Sequence, residues 1–226
     1  MLSAILFDLD GTLVNTDPIH FLAWQEMLGR YGVNIDENFY KTRISGRLNP
    51  EILKDILPQL SPTEAEEFAD NKETMFRDMA PKLQALPGLS ELIAWTQMHQ
   101  IKRALVTNAP RENAKFMLRV LGLENTFELI VLAEDEAAAK PDPTPYRVAV
   151  ERLGVEVENA LALEDSPSGI RSAVGAGLRT IGIASTHDPS KLHELGAFMA
   201  IPDFTDPQLW IFLNKSLGNK GVGSRE

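Results

Sequence analysis

An apolar run, Ala4-Ile5-Leu6-Phe7, ends abruptly at Asp8-Leu9-Asp10-Gly11. A short run of this kind, cut off by Gly, reads as a buried strand of a parallel sheet. In open α/β sheets, ligands sit in the crevice at the carboxyl ends of the strands, so Asp8 and Asp10 fall where an active site belongs. Two acids side by side repel, and a cation or a shared proton is needed to hold both. Taken alone, the stretch reads equally well as a strand followed by an Asp-Gly turn. The rest of the chain decides.

Downstream, Asp17-Pro18 opens a helix, with Asp as cap and Pro at the first position. Asn49-Pro50 opens another. Ser61-Pro62-Thr63-Glu64 has the form of a capping box, with its helix running to about Met79. No strand is legible between residues 16 and 85. After Leu86-Pro87-Gly88 the pattern changes to short apolar runs alternating with helical periods. The runs are Arg103–Val106, Leu129–Leu132, Leu161–Leu163 and Thr180–Ile183. That alternation predicts a parallel sheet with right-handed crossovers. The first strand must join it, because an isolated strand leaves its backbone polar groups unpaired. The expected fold is therefore α/β: a parallel-sheet core of residues 1–15 and 86–226 with a helical domain, residues 16–85, inserted after the first strand. The polar, Gly-rich tail from Gly218 to Glu226 is expected to fray.

Composition narrows the function classes. The chain has 226 residues and no Cys, which excludes disulfides, thiolate nucleophiles and Cys-based zinc sites. Its net charge of −10 argues against a nucleic-acid partner. An anionic substrate must then be attracted locally. No apolar run approaches the ~20 residues of a membrane helix, and the start lacks the pattern of a signal peptide. The expectation is a cytoplasmic protein acting on a small molecule, as a monomer or weak homo-oligomer.

The chemistry-bearing residues recur just beyond the apolar runs. Asp8 and Asp10 follow the first, Thr107 and Asn108 the second, and Glu164 and Asp165 a later one; Lys140 lies in a loop after another. Carboxyl ends of parallel strands share one edge, so these groups can converge. Acid positions around one point suit a hard cation such as Mg²⁺. A Thr hydroxyl, a Lys ammonium and loop N–H groups suit a phosphate. Together they point to phosphoryl transfer with an Asp nucleophile.

The four clusters Phe7-Asp8-Leu9-Asp10-Gly11-Thr12, Val106-Thr107-Asn108-Ala109, Lys140-Pro141-Asp142-Pro143 and Leu163-Glu164-Asp165-Ser166 resemble, in order, the four motifs of the haloacid dehalogenase superfamily. The helical insert resembles the cap of its β-phosphoglucomutase and phosphoglycolate phosphatase subfamily. The resemblance implies a Rossmann-like core, Asp8 as nucleophile and Asp10 as general acid and base. It implies Thr107 and Lys140 at the phosphate. It also implies Mg²⁺ held by Asp8, the Asp10 backbone carbonyl and Asp165, with Glu164 acting through water. Ala139 stands where the family usually has Gly. The function expected is hydrolysis of a small phosphorylated metabolite; a mutase of the β-phosphoglucomutase type is the alternative.

Choice of substrate is expected in the cap. By resemblance, His20 and Trp24, one helical turn apart, lie near the mouth of the site, against the alternative of packing between cap and core; Lys72 aligns with a mutase cap Lys that contacts substrate, and reads equally as a surface Lys on a helix. Lys41, Arg43 and Arg47 cluster around Ser45-Gly46; Arg47 is a candidate substrate contact, against the alternative of a solvated face. Asn49 replaces an Arg that grips a second phosphate in the mutases, and Gly11-Thr12 departs from the mutase pattern. Arg111 starts a helix near the phosphate edge. His99, His187 and His193 carry no assigned role.

Overall fold

The computed structural model describes residues 1–217; the expected fraying of the tail lies outside the described residues. Six strands, β1 (Ala4–Phe7), β2 (Lys102–Thr107), β3 (Leu129–Leu132), β4 (Ala160–Glu164), β5 (Arg179–Ile183) and β6 (Met199–Ile201), form one sheet. Their order is β3-β2-β1-β4-β5-β6, and every pairing is parallel. The order reverses direction between β1 and β4, and a crevice opens at such a switch point. Asp8 and Glu164 sit there.

Period-two alternation assigns each strand residue to a face. Ile5, Phe7, Leu105, Leu161, Leu163 and Ile181 pack on one side, under helices α5 (Leu89–Met98), α6 (Arg111–Val120) and α10 (Pro207–Ser216). Ala4, Leu6, Ala104, Val106, Ala160 and Ala162 pack on the other, under α7 (Thr144–Leu153) and α8 (Pro167–Gly175). The second face is rich in Ala, which lets α7 and α8 approach closely. Both faces are covered, so the central strands read as continuous apolar runs. The short edge strand β6 and helix α9 (Pro189–Glu194) complete that end of the sheet. Three residues give β6 too little pattern to be legible in sequence.

Between β1 and α5 lie α1 (Asp17–Gly29), α2 (Glu37–Arg43), α3 (Asn49–Ile56) and α4 (Pro62–Met79). They have an apolar cluster of their own, including Trp24, Leu28, Tyr40, Ile52, Leu53 and Phe68. The capping box at Ser61 forms with both hydrogen bonds present. Helix α2 is short and not evident from the sequence; Asp36 caps it by accepting from the Phe39 N–H at 2.7 Å. The outgoing and returning chain segments pair where they meet the sheet. The Leu86 N–H donates to the Leu13 carbonyl at 2.8 Å, and Val14 bridges Ala85.

Two cap readings are corrected: Asn49, read in the same way as Asp17, is the first residue of α3, and Leu48 holds the cap position. Asp17, expected as the cap of α1, lies in its first turn, and Thr16 occupies the cap position without a side-chain cap bond. The Asp17 carboxylate is engaged elsewhere, accepting from the Tyr40 hydroxyl at 2.8 Å.

Candidate active site

A cavity of about 250 Å³ lies between the carboxyl edge of the sheet and α1–α4. Its floor is built by strand ends. Asp8, just past β1, places Oδ1 2.7 Å from Lys140 Nζ. The same ammonium donates to Glu164 Oε1 at 2.5 Å and to the Val106 carbonyl at 2.7 Å. The Lys140 loop is itself held by Asn108: its amide donates to the Lys140 carbonyl and its Oδ1 accepts from the Lys140 N–H, both at 3.1 Å. Asn108, expected at substrate, lines the cavity, and its side chain also fixes the Lys140 loop. Thr107, nearly fully buried, accepts from the Ala109 N–H at 2.9 Å. That leaves its hydroxyl hydrogen available to a ligand.

Carboxylate oxygens of Asp8, Glu164 and Asp165 lie within 4.8 Å of one another, and all three residues are buried. Burial and the nearby Glu164 push the Asp8 carboxyl up to about 7, although Lys140 opposes them. Burial, Asp8 and Glu164 push Asp165 well above the usual carboxylate range. Lys140 is held above the ordinary lysine value: burial opposes its charge, but Asp8 and Glu164 outweigh it. A cation would offset this crowding of like charges, and an all-oxygen set fits a hard divalent ion such as Mg²⁺. Gly11 makes the crowding possible. It has φ +81°, and a Cβ there would stand 2.1 Å from Asp165 Oδ2.

Glu164 is the most enclosed member. Besides Lys140 it accepts from the Tyr146 hydroxyl at 2.7 Å, and it does not line the cavity. Asp10 belongs to a different group. Its Oδ1 accepts from the Thr16 hydroxyl at 2.6 Å and faces His20 Nε2 at 3.6 Å, so its carboxylate stands apart from the acidic triad.

The roof comes from α1, α3, α4 and the turn after α2. His20 stacks on Phe76 with ring centroids 4.0 Å apart. Its Nδ1 lies 3.2 Å from Lys72 Nζ. With Lys72 donating, Nδ1 accepts and Nε2 carries the hydrogen that faces Asp10. Lys72, 2% exposed, is no surface lysine; it donates to Glu73 Oε1 at 2.6 Å. Burial pulls its pKa down, with Glu73 and Asp10 opposing. Burial would raise Glu73, but Lys72, His20 and the Asn49 amide hold it down at about 2. Trp24 lines the cavity from within the helical cluster, stacked on Phe68, with Lys72 Nζ 5.1 Å from its ring centroid. Arg47 also lines it, but its guanidinium is tied to Asp55 at 3.1 Å and to the Arg43 carbonyl at 2.7 Å. Arg111 turns away to Glu134 and Asp135.

Several residues at the site were not singled out from the sequence. Glu73 and Asn113 join α4 to α6, and Ser45 and Tyr40 hold Asp17. The loop after β5 supplies two hydroxyls: Ser185 donates to the Gly11 carbonyl and Thr186 to Asp165 Oδ2. His187 Nδ1 lies 2.8 Å from the Thr186 hydroxyl. The strand-end rule that located Asp8 and Thr107 also points to Ser185 and Thr186, two and three residues beyond β5. Glu73 had no comparable signal, since a Lys-Glu pair on a helix is ordinary.

Comparison with known proteins agrees with this geometry. Residues 5–183 match the family described as haloacid dehalogenase-like hydrolase. A "Phosphorylated carbohydrates phosphatase" of Thermotoga maritima is 33% identical over 203 residues, covering 87% of this chain and 92% of its own. A "Validoxylamine A 7'-phosphate phosphatase" of Streptomyces hygroscopicus subsp. limoneus is 31% identical over 208 residues, covering 91% and 96%. The crystal structure of CbbY from Rhodobacter sphaeroides in complex with xylulose-(1,5)bisphosphate superposes with a TM-score of 0.80 at 29% identity, covering 91% of this chain and 96% of that one. The chain belongs to the haloacid dehalogenase-like hydrolases.

Proposed function

We propose that this protein is a Mg²⁺-dependent phosphatase that hydrolyses a small phosphomonoester, a sugar phosphate or similar metabolite, through an aspartyl-phosphate on Asp8. The observation that carries this reading is the pairing of two unlike carboxylates. Asp8 is buried against Lys140 at 2.7 Å, while Asp10 is held apart by Thr16 at 2.6 Å. The first setting supports a nucleophile and the second a group that moves a proton.

Asp8 attacks phosphorus as the ester P–O bond breaks, and Asp10 gives its proton to the leaving oxygen. Lys140 and the Thr107 hydroxyl bind the phosphoryl oxygens. Asp10, now a base, takes a proton from water as that water attacks phosphorus; phosphate leaves and the Asp8 carboxylate is restored. Mg²⁺ bound by Asp8 and Asp165, with Glu164 behind them, supplies positive charge that lets a dianionic phosphate approach a carboxylate. Residues 16–85 act as a cap that covers the site, excludes bulk water and contacts the leaving group. His20, through Lys72, and Thr16 tie the position of Asp10 to that cap.

The test is Asp8→Asn, assayed with p-nitrophenyl phosphate and Mg²⁺. Phosphate release is expected to vanish while the fold is retained by circular dichroism. Turnover at the wild-type rate would sink the reading. The contact of His20 with Asp10 also favours a second reading, a β-phosphoglucomutase-type transfer to a sugar hydroxyl. Incubation with β-glucose 1-phosphate and a trace of bisphosphate separates the two: glucose 6-phosphate accumulates for a mutase, free phosphate for a phosphatase.

A further inference from the structure

Resting on the phosphatase reading, in which Asp165 helps to hold Mg²⁺, we infer that His187 is a positioning residue for that ion: its ring fixes which way the Thr186 hydroxyl points, and that hydroxyl fixes Asp165. The Thr186 hydroxyl donates to Asp165 Oδ2. The same oxygen lies 2.8 Å from His187 Nδ1. Neither Thr186 nor His187 lines the cavity, so both act from behind the carboxylate.

A hydroxyl has one hydrogen to give and lone pairs to accept with. Beside a cation Asp165 is ionised, and an ionised carboxylate only accepts. The one hydrogen of Thr186 therefore belongs to Asp165, and the Thr186 oxygen can only accept from His187. Nδ1 must then carry a hydrogen. A neutral ring with its hydrogen on Nε2 would reverse the bond. Nδ1 would take the Thr186 hydrogen and leave two oxygens facing each other, with Asp165 short of a donor. Burial pulls the His187 pKa below its ordinary value, with Asp17 opposing and Lys191 adding to the fall. The ring is thus neutral at pH 7, and its single hydrogen sets the direction of the whole chain, from Nδ1 to Thr186 to Asp165.

The loop that carries these groups is anchored at both ends. The Ala184 N–H donates to the Ile201 carbonyl at 2.7 Å, tying the end of β5 to β6. Asp188 caps α9, accepting from the Ser190 N–H at 2.8 Å. Between these anchors, Ser185 donates to the carbonyl of Gly11, whose missing Cβ makes room for Asp165 Oδ2. Residues 185–187 therefore all bear on one carboxylate, and they do so from a fixed backbone.

The test is Mg²⁺ binding to the full chain by calorimetry. His187→Phe keeps a ring but donates nothing, and is expected to weaken binding about tenfold, within the usual range for partners of metal ligands. His187→Asn, whose amide can donate from nearly the place of Nδ1, should restore the affinity. The double variant with Thr186→Val should bind no more weakly than Thr186→Val alone, because His187 acts only through that hydroxyl. Nitrogen NMR of the native, Mg²⁺-loaded chain reads the ring without any substitution. A hydrogen on His187 Nδ1 is expected, and a bare Nδ1 overturns the inference. Wild-type affinity in His187→Phe, losses that multiply in the double variant, or no recovery in His187→Asn overturn it too. In each of those cases the phosphatase reading stands. If the wild-type chain binds no Mg²⁺, the metal-dependent reading falls and takes the inference with it.

Discussion

The Asn113 amide of α6 donates to Glu73 Oε2 of α4 at 2.6 Å, so the sheet domain and the helical insert meet at a buried, charge-assisted hydrogen bond. The other end of the same side chain accepts from Arg77 of α4 at 2.7 Å. Asn113 is 1% exposed, and Glu73 is buried with it. Asn113→Ala therefore leaves a buried carboxylate one donor short, at a cost of about 1–3 kcal/mol. Urea unfolding should show that loss, and KM should rise because the closed position of the cap is less favoured. An unchanged unfolding midpoint would mean the contact holds nothing.

Glu73 also makes acid stability predictable. Its folded pKa, about 2, lies below the ordinary 4.5. A depressed carboxyl contributes stability that is complete above the unfolded value and is lost as pH falls through the folded one. The contribution is of order 3 kcal/mol at pH 7, at 1.36 kcal/mol per unit, and is lost between about pH 5 and pH 2. In Glu73→Gln that part of the acid sensitivity should disappear. Stability–pH curves of the two proteins that stay parallel over this range would rule it out.

If Asp10 protonates the leaving oxygen, its loss must weigh most where that oxygen is a poor leaving group. Asp10→Asn should cost about 10²–10⁴-fold with a sugar phosphate, within the usual range for general acid catalysis. With p-nitrophenyl phosphate, whose phenolate leaves readily, formation of the aspartyl-phosphate should suffer far less. A burst of p-nitrophenol followed by slow turnover is the expected trace, because Asp10 is still needed to activate water. Equal losses in the first step for both substrates would remove Asp10 from that role.

Thr186 holds Asp165 by hydrogen bond, and Ser185 holds the Gly11 carbonyl beside it. Partners that orient metal ligands commonly account for about 10–100-fold in metal affinity. Thr186→Val should weaken Mg²⁺ binding by that amount in calorimetry, and Thr186→Ser should restore it. Wild-type affinity in the Val variant would show that Asp165 is fixed without the hydroxyl.

Much of the architecture was legible because its signals are local. Runs such as Ala4–Phe7 and Leu161–Leu163 announce buried strands, and the Ser61 capping box and the Pro that opens α1, α3 and α4 mark helices. What failed was short or ambiguous. Strand β6 has three residues, and α2 has seven with little apolar period. At the site, strand ends located Asp8, Thr107, Glu164 and Asp165 because topology converts sequence position into a place on one edge. Lys72 looked like any helical lysine. Only the packing of α4 against α1 makes it 2% exposed and sets it beside His20.

By itself, the sequence determined which groups could do chemistry: an acid pair after the first strand, a Thr, a Lys and a second acid pair, each placed by a strand or its loop. Only the tertiary structure shows how differently the two acids of the first pair are surrounded. Asp8 and Asp10 are two residues apart and alike in sequence. Yet one is buried against Lys140 while the other turns to Thr16 and His20. It likewise decided that Lys72, a cation on paper, is buried against Glu73. Charge type is written in the chain, but the balance of charge at a point depends on every element that packs around it.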